Sequence, residues 1–145
     1  MKPCVVLGRI HVGRHRRIHG HAGHAVRPRL HDGSRAGVAA LEPSTTAMVV
    51  VLGDQPLTPP DVIPALLAAQ RQSGKAIAAP SYRGARGTPV LFSAAVFGEL
   101  RSLTGDVGAR AVVSARPERV VVVELDVAMP ADVDTPEDLA RLHVQ

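Results

Sequence analysis

The stretch whose reading decides the fold is Val49–Asp61, VVVLGDQPLTPPD. A β-branched apolar run stops at Gly53-Asp54, and prolines follow. The run is the end of AMVVVL, Ala47–Leu52. It has strand length and no polar alternation, as a strand covered on both faces requires. Beyond it, Thr58–Gly74 predicts a helix. Thr58 would be its N-cap, Pro59 its first residue and Asp61 the acid of a capping box. Val62, Leu66 and Ala69, with Ile63 and Leu67, form an apolar stripe, and Gly74 is the stop. Pro64 falls in the first turns, where its missing N–H costs least.

The same alternation continues along the chain. Ser34–Leu41 reads as a short helix, Ala76–Pro80 as a strand and Ser81–Pro89 as a glycine-rich loop. Val90–Phe92 is a short strand, followed by a helix capped by Ser93. Thr104–Arg110 is a loop leading into a helix near Ala109–Ala115. Arg119–Leu125 is a strand, and Thr135-Pro136-Glu137-Asp138 opens a last helix with the capping pattern of Thr58-Pro59-Pro60-Asp61. Strands alternating with helices predict an α/β fold with a mostly parallel sheet.

A chain of 145 residues fits one domain and buries a core without metal or disulfide. The single cysteine, Cys4, excludes an internal disulfide and a cysteine-cluster zinc site, and suits a reducing compartment. No apolar run reaches membrane-spanning length, and Cys4–Leu7 is too short for a signal-peptide core. A cytoplasmic location is therefore expected. Aromatics at 2% argue against a base-stacking surface.

The net charge of +4 is unevenly placed. Lys2, Arg9, Arg14, Arg16, Arg17, Arg27 and Arg29 precede the first acid, Asp32, and the remainder of the chain is mildly acidic. A nucleic-acid-binding domain is not expected from that distribution. Residues 1–33 also hold six of the 7 histidines and lack a helical or strand period. His11, His15 and His19 are spaced for one helix face and a metal, but Gly13 interrupts them and no acid precedes Asp32. A basic arm is another reading; the composition favours an unpacked segment. The organisation expected is an atypical segment, 1–33, and a domain, 34–145.

In open α/β sheets ligands bind beyond the carboxyl ends of strands. Asp54 lies there, and Gly53 lets a backbone or phosphate approach closely. Asp132 and Asp134 follow another strand. Carboxylates from two strand ends make a hard-oxygen site suited to Mg²⁺, waters and substrate phosphates. The structural alternative is an Asx-turn or helix cap. Arg83, Arg86 and Arg110 are candidate phosphate contacts, because guanidinium forks match phosphate oxygens.

The segments VVVLGDQPLTPPDV, APSYRGARGTPVLF, LTGDVGAR and VDTPEDLARL, in this order, resemble the MobA-like nucleotidyltransferases, with molybdenum cofactor cytidylyltransferase the nearest branch. The resemblance runs from about Ser34 to Leu142. It implies a Rossmann-like α/β/α domain that moves a nucleotidyl group from an NTP, CTP in that branch, to molybdopterin. It implies Mg²⁺ on Asp54, shared by Asp134, as the catalytic pair. It implies substrate contacts from Gly53, Gln55 and Pro56 of the first motif, from Arg86, Gly87, Thr88 and Pro89, and from Gly105, Asp106 and Arg110. Thr88 stands where a His or Asn is commoner. A molybdoenzyme or maturation partner would receive the product.

The family's opening LAAGxSxRMGxxK loop, which holds the triphosphate and reads the base, has no match in residues 1–33. "CVVLG", Cys4–Gly8, resembles a later strand instead. This leads to the expectation of an N-terminally truncated, inactive domain, from a frame slip or misplaced start. The alternatives are a non-catalytic molybdopterin-binding module, or other chemistry on this scaffold such as that of nicotine blue oxidoreductase. The latter lacks support from a GxGxxG fingerprint.

Overall fold

The computed structural model describes residues 5–9, 30–104 and 108–142. In chain order the elements are β1 (Val5–Arg9), α1 (Leu30–Ala39), β2 (Ala47–Leu52), α2 (Val62–Ser73), β3 (Ile77–Tyr82), β4 (Ala85–Arg86) and β5 (Val90–Ser93). A 3₁₀ turn, Ala94–Val96, leads into α3 (Phe97–Arg101). Then come α4 (Gly108–Ala115), a second 3₁₀ turn (Pro117–Arg119), β6 (Val120–Leu125) and α5 (Pro136–Leu142). His11, His15 and His19, and Gly105 and Asp106, lie outside the described residues.

The α/β class expected from the alternation is the one observed. The sheet is mixed, however, rather than mostly parallel. β1 pairs with β2, β2 with β5, and β5 and β4 with β3, all antiparallel; only β3 and β6 pair in parallel among the described strands. The reason is the Val90–Ser93 strand. It returns from the β4 hairpin and inserts between β2 and β3, reversing two ladders at once. Because β5 opposes both neighbours, β2 and β3 still point the same way, as does β6. Their carboxyl ends share one edge of the sheet, and the chain re-enters β5 from that edge.

The apolar strands are covered on both faces, as their lack of alternation requires. Met48 and Val50 of β2, Ile77 and Ala79 of β3, Phe92 of β5 and Val120 of β6 face one way, against Val38 of α1, Phe97 and Leu100 of α3 and Val112 and Val113 of α4. Val49, Ala78, Tyr82 and Leu91 face the other way, against Val62 and Leu66 of α2. The result is a three-layer α/β/α sandwich. β3 lies deepest, with all its residues buried.

Helix ends follow the sequence at one Thr-Pro pattern and not at the other. At α5 the capping box forms. The Asp138 N–H donates to Thr135 Oγ1 at 3.1 Å, and the Thr135 N–H donates to Asp138 Oδ2 at 3.1 Å. At α2 it does not: the helix starts at Val62, and Asp61 occupies the N-cap without a side-chain bond. Pro60 is the difference. A residue before proline is pushed out of the α region, so Pro59 cannot begin a helix, whereas Pro136 is followed by Glu137. Thr58 Oγ1 donates instead to the Gln55 carbonyl at 2.9 Å. At the far end Gly74 stops α2 in the left-handed region, at φ 66°, which costs glycine nothing. The stretch Ser81–Pro89, read as a loop, extends β3 to Tyr82 and forms the β4 hairpin, turning through Arg83 and Gly84. Ser93 precedes a 3₁₀ turn and makes no side-chain cap bond.

Candidate active site

The shared carboxyl edge gathers three segments: residues 53–56 after β2, residues 86–89 before β5, and residues 129–134 after β6. The first and last are joined through the backbone. The Val133 N–H donates to the Asp54 carbonyl at 2.8 Å. Asp54 is half-buried, and its Oδ1 is buried without a hydrogen-bond partner. A buried carboxylate oxygen without a donor is costly unless a cation or water satisfies it. That unmet oxygen fits a divalent cation. No group of three or more His, Cys, Asp or Glu side chains converges as a cage among the described residues, so such a cation would keep most of its positions for water and phosphate, as Mg²⁺ does.

Next to Asp54, Gln55 is 8% exposed. Its Nε2 donates to Asp132 Oδ1 at 2.8 Å, and its Oε1 accepts from the Thr88 hydroxyl. The Tyr82 hydroxyl donates to the Thr88 carbonyl at 2.6 Å. Burial holds the Tyr82 phenol above its usual 10.0, so it stays a donor. Beneath the Tyr82 ring runs the Gly87 backbone. A Cβ there would meet ring carbons at 2.9 Å.

A cleft of about 780 Å³ opens beside this cluster, on the face of α1 and α4. Val50, Ala79 and Phe92 form its floor, and Arg86, Thr88, Arg110 and Asp132 stand at its polar wall. Arg86 and Arg110 are exposed at the surface. The cleft thus sets guanidinium groups for phosphate oxygens above a buried apolar floor.

Of the residues expected from the sequence, Gln55, Arg86, Gly87, Thr88 and Arg110 come together at this cleft. Gly53 and Pro56 flank it at the surface, and Pro89 is buried behind it. Asp134 is exposed just ahead of α5, beside the Val133 link. Arg83 does not line the cleft; it pairs with Asp126 at 3.0 Å at the surface. The bonds of Tyr82 and Asp132 were missed by sequence reasoning: Asp132 lies 77 residues from Gln55, and Tyr82 meets Thr88 only because the β4 hairpin folds the chain back between them. The only local signal was a glutamine directly after the aspartate, at a strand exit.

A profile of the MobA-like NTP transferase domain matches residues 18–120. The chain belongs to the MobA-like NTP transferase family. The match begins inside the histidine- and arginine-rich segment and ends at the start of β6. Solved structures agree with the assignment. The Rv0371c homologue from Mycobacterium sp. strain JC1 is 31% identical with a TM-score of 0.66, over 77% of this chain and 56% of that one. Rv0371c from Mycobacterium tuberculosis H37Rv is 32% identical with a TM-score of 0.67, over 79% and 60%. The same M. tuberculosis protein in complex with manganese is 33% identical with a TM-score of 0.65, over 78% and 60%. This MobA-like chain therefore spans about three-fifths of the length of these relatives. No curated protein sequence matches it significantly. Membership makes the domain nucleotidyltransferase-like and Rossmann-like in fold. No helix among the described residues is long and apolar enough to cross a membrane.

Proposed function

We propose that this domain transfers a nucleotidyl group from an NTP to a phosphate-bearing acceptor, with CTP and molybdopterin as the pair. The observation that carries the reading is the Asp54 carboxylate at the end of β2, with Oδ1 buried and unpartnered beside a cleft edged by Arg86 and Arg110. In the reaction, an acceptor phosphate oxygen forms a bond to the α-phosphorus as the bond to the bridging oxygen breaks, and pyrophosphate leaves. Such a transfer needs positioning and neutralisation of charge more than covalent help. Asp54 and Asp134 would hold a divalent cation, Mg²⁺ in this reading; manganese on a structural relative supports that. When bound, the cation neutralises phosphate charge. Arg86 and Arg110 would take phosphate oxygens at the rim. Val50, Ala79 and Phe92, buried beneath, would keep that end of the cleft dry.

The test is Mg²⁺-dependent release of pyrophosphate from CTP with molybdopterin as acceptor, for this chain and for a version extended with a triphosphate-binding loop. Turnover by either supports the reading. No turnover by both, with no binding of CTP, overturns it. Tight pterin binding without nucleotide binding would instead favour a module that hands molybdopterin to a molybdoenzyme or maturation partner.

A further inference from the structure

Gln55 has a protein partner at each of its polar groups. Its N–H donates to the Leu52 carbonyl at 3.3 Å, and its carbonyl accepts from the Thr58 N–H at 3.3 Å and from Thr58 Oγ1 at 2.9 Å. Its carboxamide is spanned between Asp132 and Thr88. A carboxamide suits that place because it donates and accepts at once. Glutamate would set a second carboxylate against Asp132, and leucine would leave both partners unmet. Asp54, by contrast, has no side-chain donor holding its buried Oδ1.

We infer that Gln55 is a positioning residue for Asp54 rather than a substrate contact, and that Tyr82 anchors it through Thr88. This rests on the reading of Asp54 as a metal ligand. The chain Tyr82–Thr88–Gln55–Asp132 crosses all three segments at the sheet edge. It clamps the backbone on one side of Asp54, and the Val133 link clamps it through its own carbonyl. The direction of the carboxylate is then set by groups that never touch the cation. Outer partners of this kind commonly shift metal affinity about 10- to 100-fold.

The experiment is Mn²⁺ titration of the full chain, followed by electron paramagnetic resonance of free Mn²⁺, below the unfolding temperature of each variant. Gln55→Leu should bind Mn²⁺ about 10-fold or more weakly while its circular dichroism stays that of the parent. Tyr82→Phe keeps the ring and removes one bond, so it should weaken Mn²⁺ about fivefold; it decides the matter if Gln55→Leu does not fold. Asp54→Asn separates the two questions. If it binds Mn²⁺ as the parent does, the metal reading fails. If it loses Mn²⁺ while folded Gln55→Leu and Tyr82→Phe bind as the parent, the positioning role alone is overturned.

Discussion

Gln55 and Asp132, 77 residues apart in sequence, are joined by a 2.8 Å hydrogen bond. The bond fastens the exit of β2 to the exit of β6. The aspartate between Gly53 and Gln55 can therefore be substituted without removing that bond. Asp54→Asn keeps size and shape. It should lower Mg²⁺-dependent pyrophosphate release on the order of 1000-fold, because several kcal/mol of charge stabilisation is lost. Steady-state release by variant and parent checks this; equal rates would return Asp54 to the role of a turn residue.

Gly87 runs under the Tyr82 ring with no room for a methyl group, since a Cβ would lie 2.9 Å from two ring carbons. Gly87→Ala should push the ring away and strain the Tyr82–Thr88 bond, at about 1–3 kcal/mol of stability. Urea unfolding followed by circular dichroism measures it.

Leu66 is fully buried on the face away from the cleft, where α2 meets β2, β3 and β5. Leu66→Ala should cost about 2–5 kcal/mol. Cleft chemistry should be retained at temperatures where the variant is folded, as ligand titration against thermal unfolding would reveal.

Glu99 of α3 takes both forks of the Arg119 guanidinium, at 2.5 and 2.9 Å. The hydrogen bonds from Arg119 hold its carboxyl below the usual 4.5. A lowered folded value adds stability above the unfolded value and loses it as pH falls through the folded one. Relative to Glu99→Gln, the parent should be more stable at neutral pH, with the gap closing below about pH 4.5. Thermal unfolding across that range is the measurement.

Tyr82 carries the opposite sign. Burial raises its phenol above 10.0, so its contribution is intact below pH 10.0 and is lost as pH rises through the folded value. The parent should lose stability above pH 10 more steeply than Tyr82→Phe does. Equal slopes in alkaline unfolding curves would mean that the ring is not the titrating group.

Most element types were legible because apolar period and turn residues are local properties, the β4 hairpin inside Ser81–Pro89 being the exception. Ala47–Leu52 was read to the residue, and Gly74 was read as the stop of α2. Strand direction was not legible, since Val90–Ser93 has the same apolar content whichever way it runs. The two Thr-Pro patterns look alike until the residue after the proline is considered, and Pro60 then separates them. Asp54 at the strand exit, and Arg86 and Arg110 at the cleft, stood out by type and place. The bonds of Gln55 to Asp132 and Thr88 did not, because nothing in residues 54–58 names a partner 33 or 77 positions away.

β3 sits between β6 along one whole edge and β5 and β4 along the other. It is the strand from which the Tyr82 hydroxyl and the β4 hairpin emerge. The Arg86–Thr88 part of the cleft wall is therefore carried on the innermost strand through the β4 hairpin. Amide exchange should be slowest at Ile77, Ala78, Ser81 and Tyr82, the residues paired on both edges of β3, and should quicken past Arg86. A ligand entering the cleft would meet one side carried from β3 through the β4 hairpin and another carried by residues that leave β6, the strand paired with β3, so both sides trace to one pair of strands.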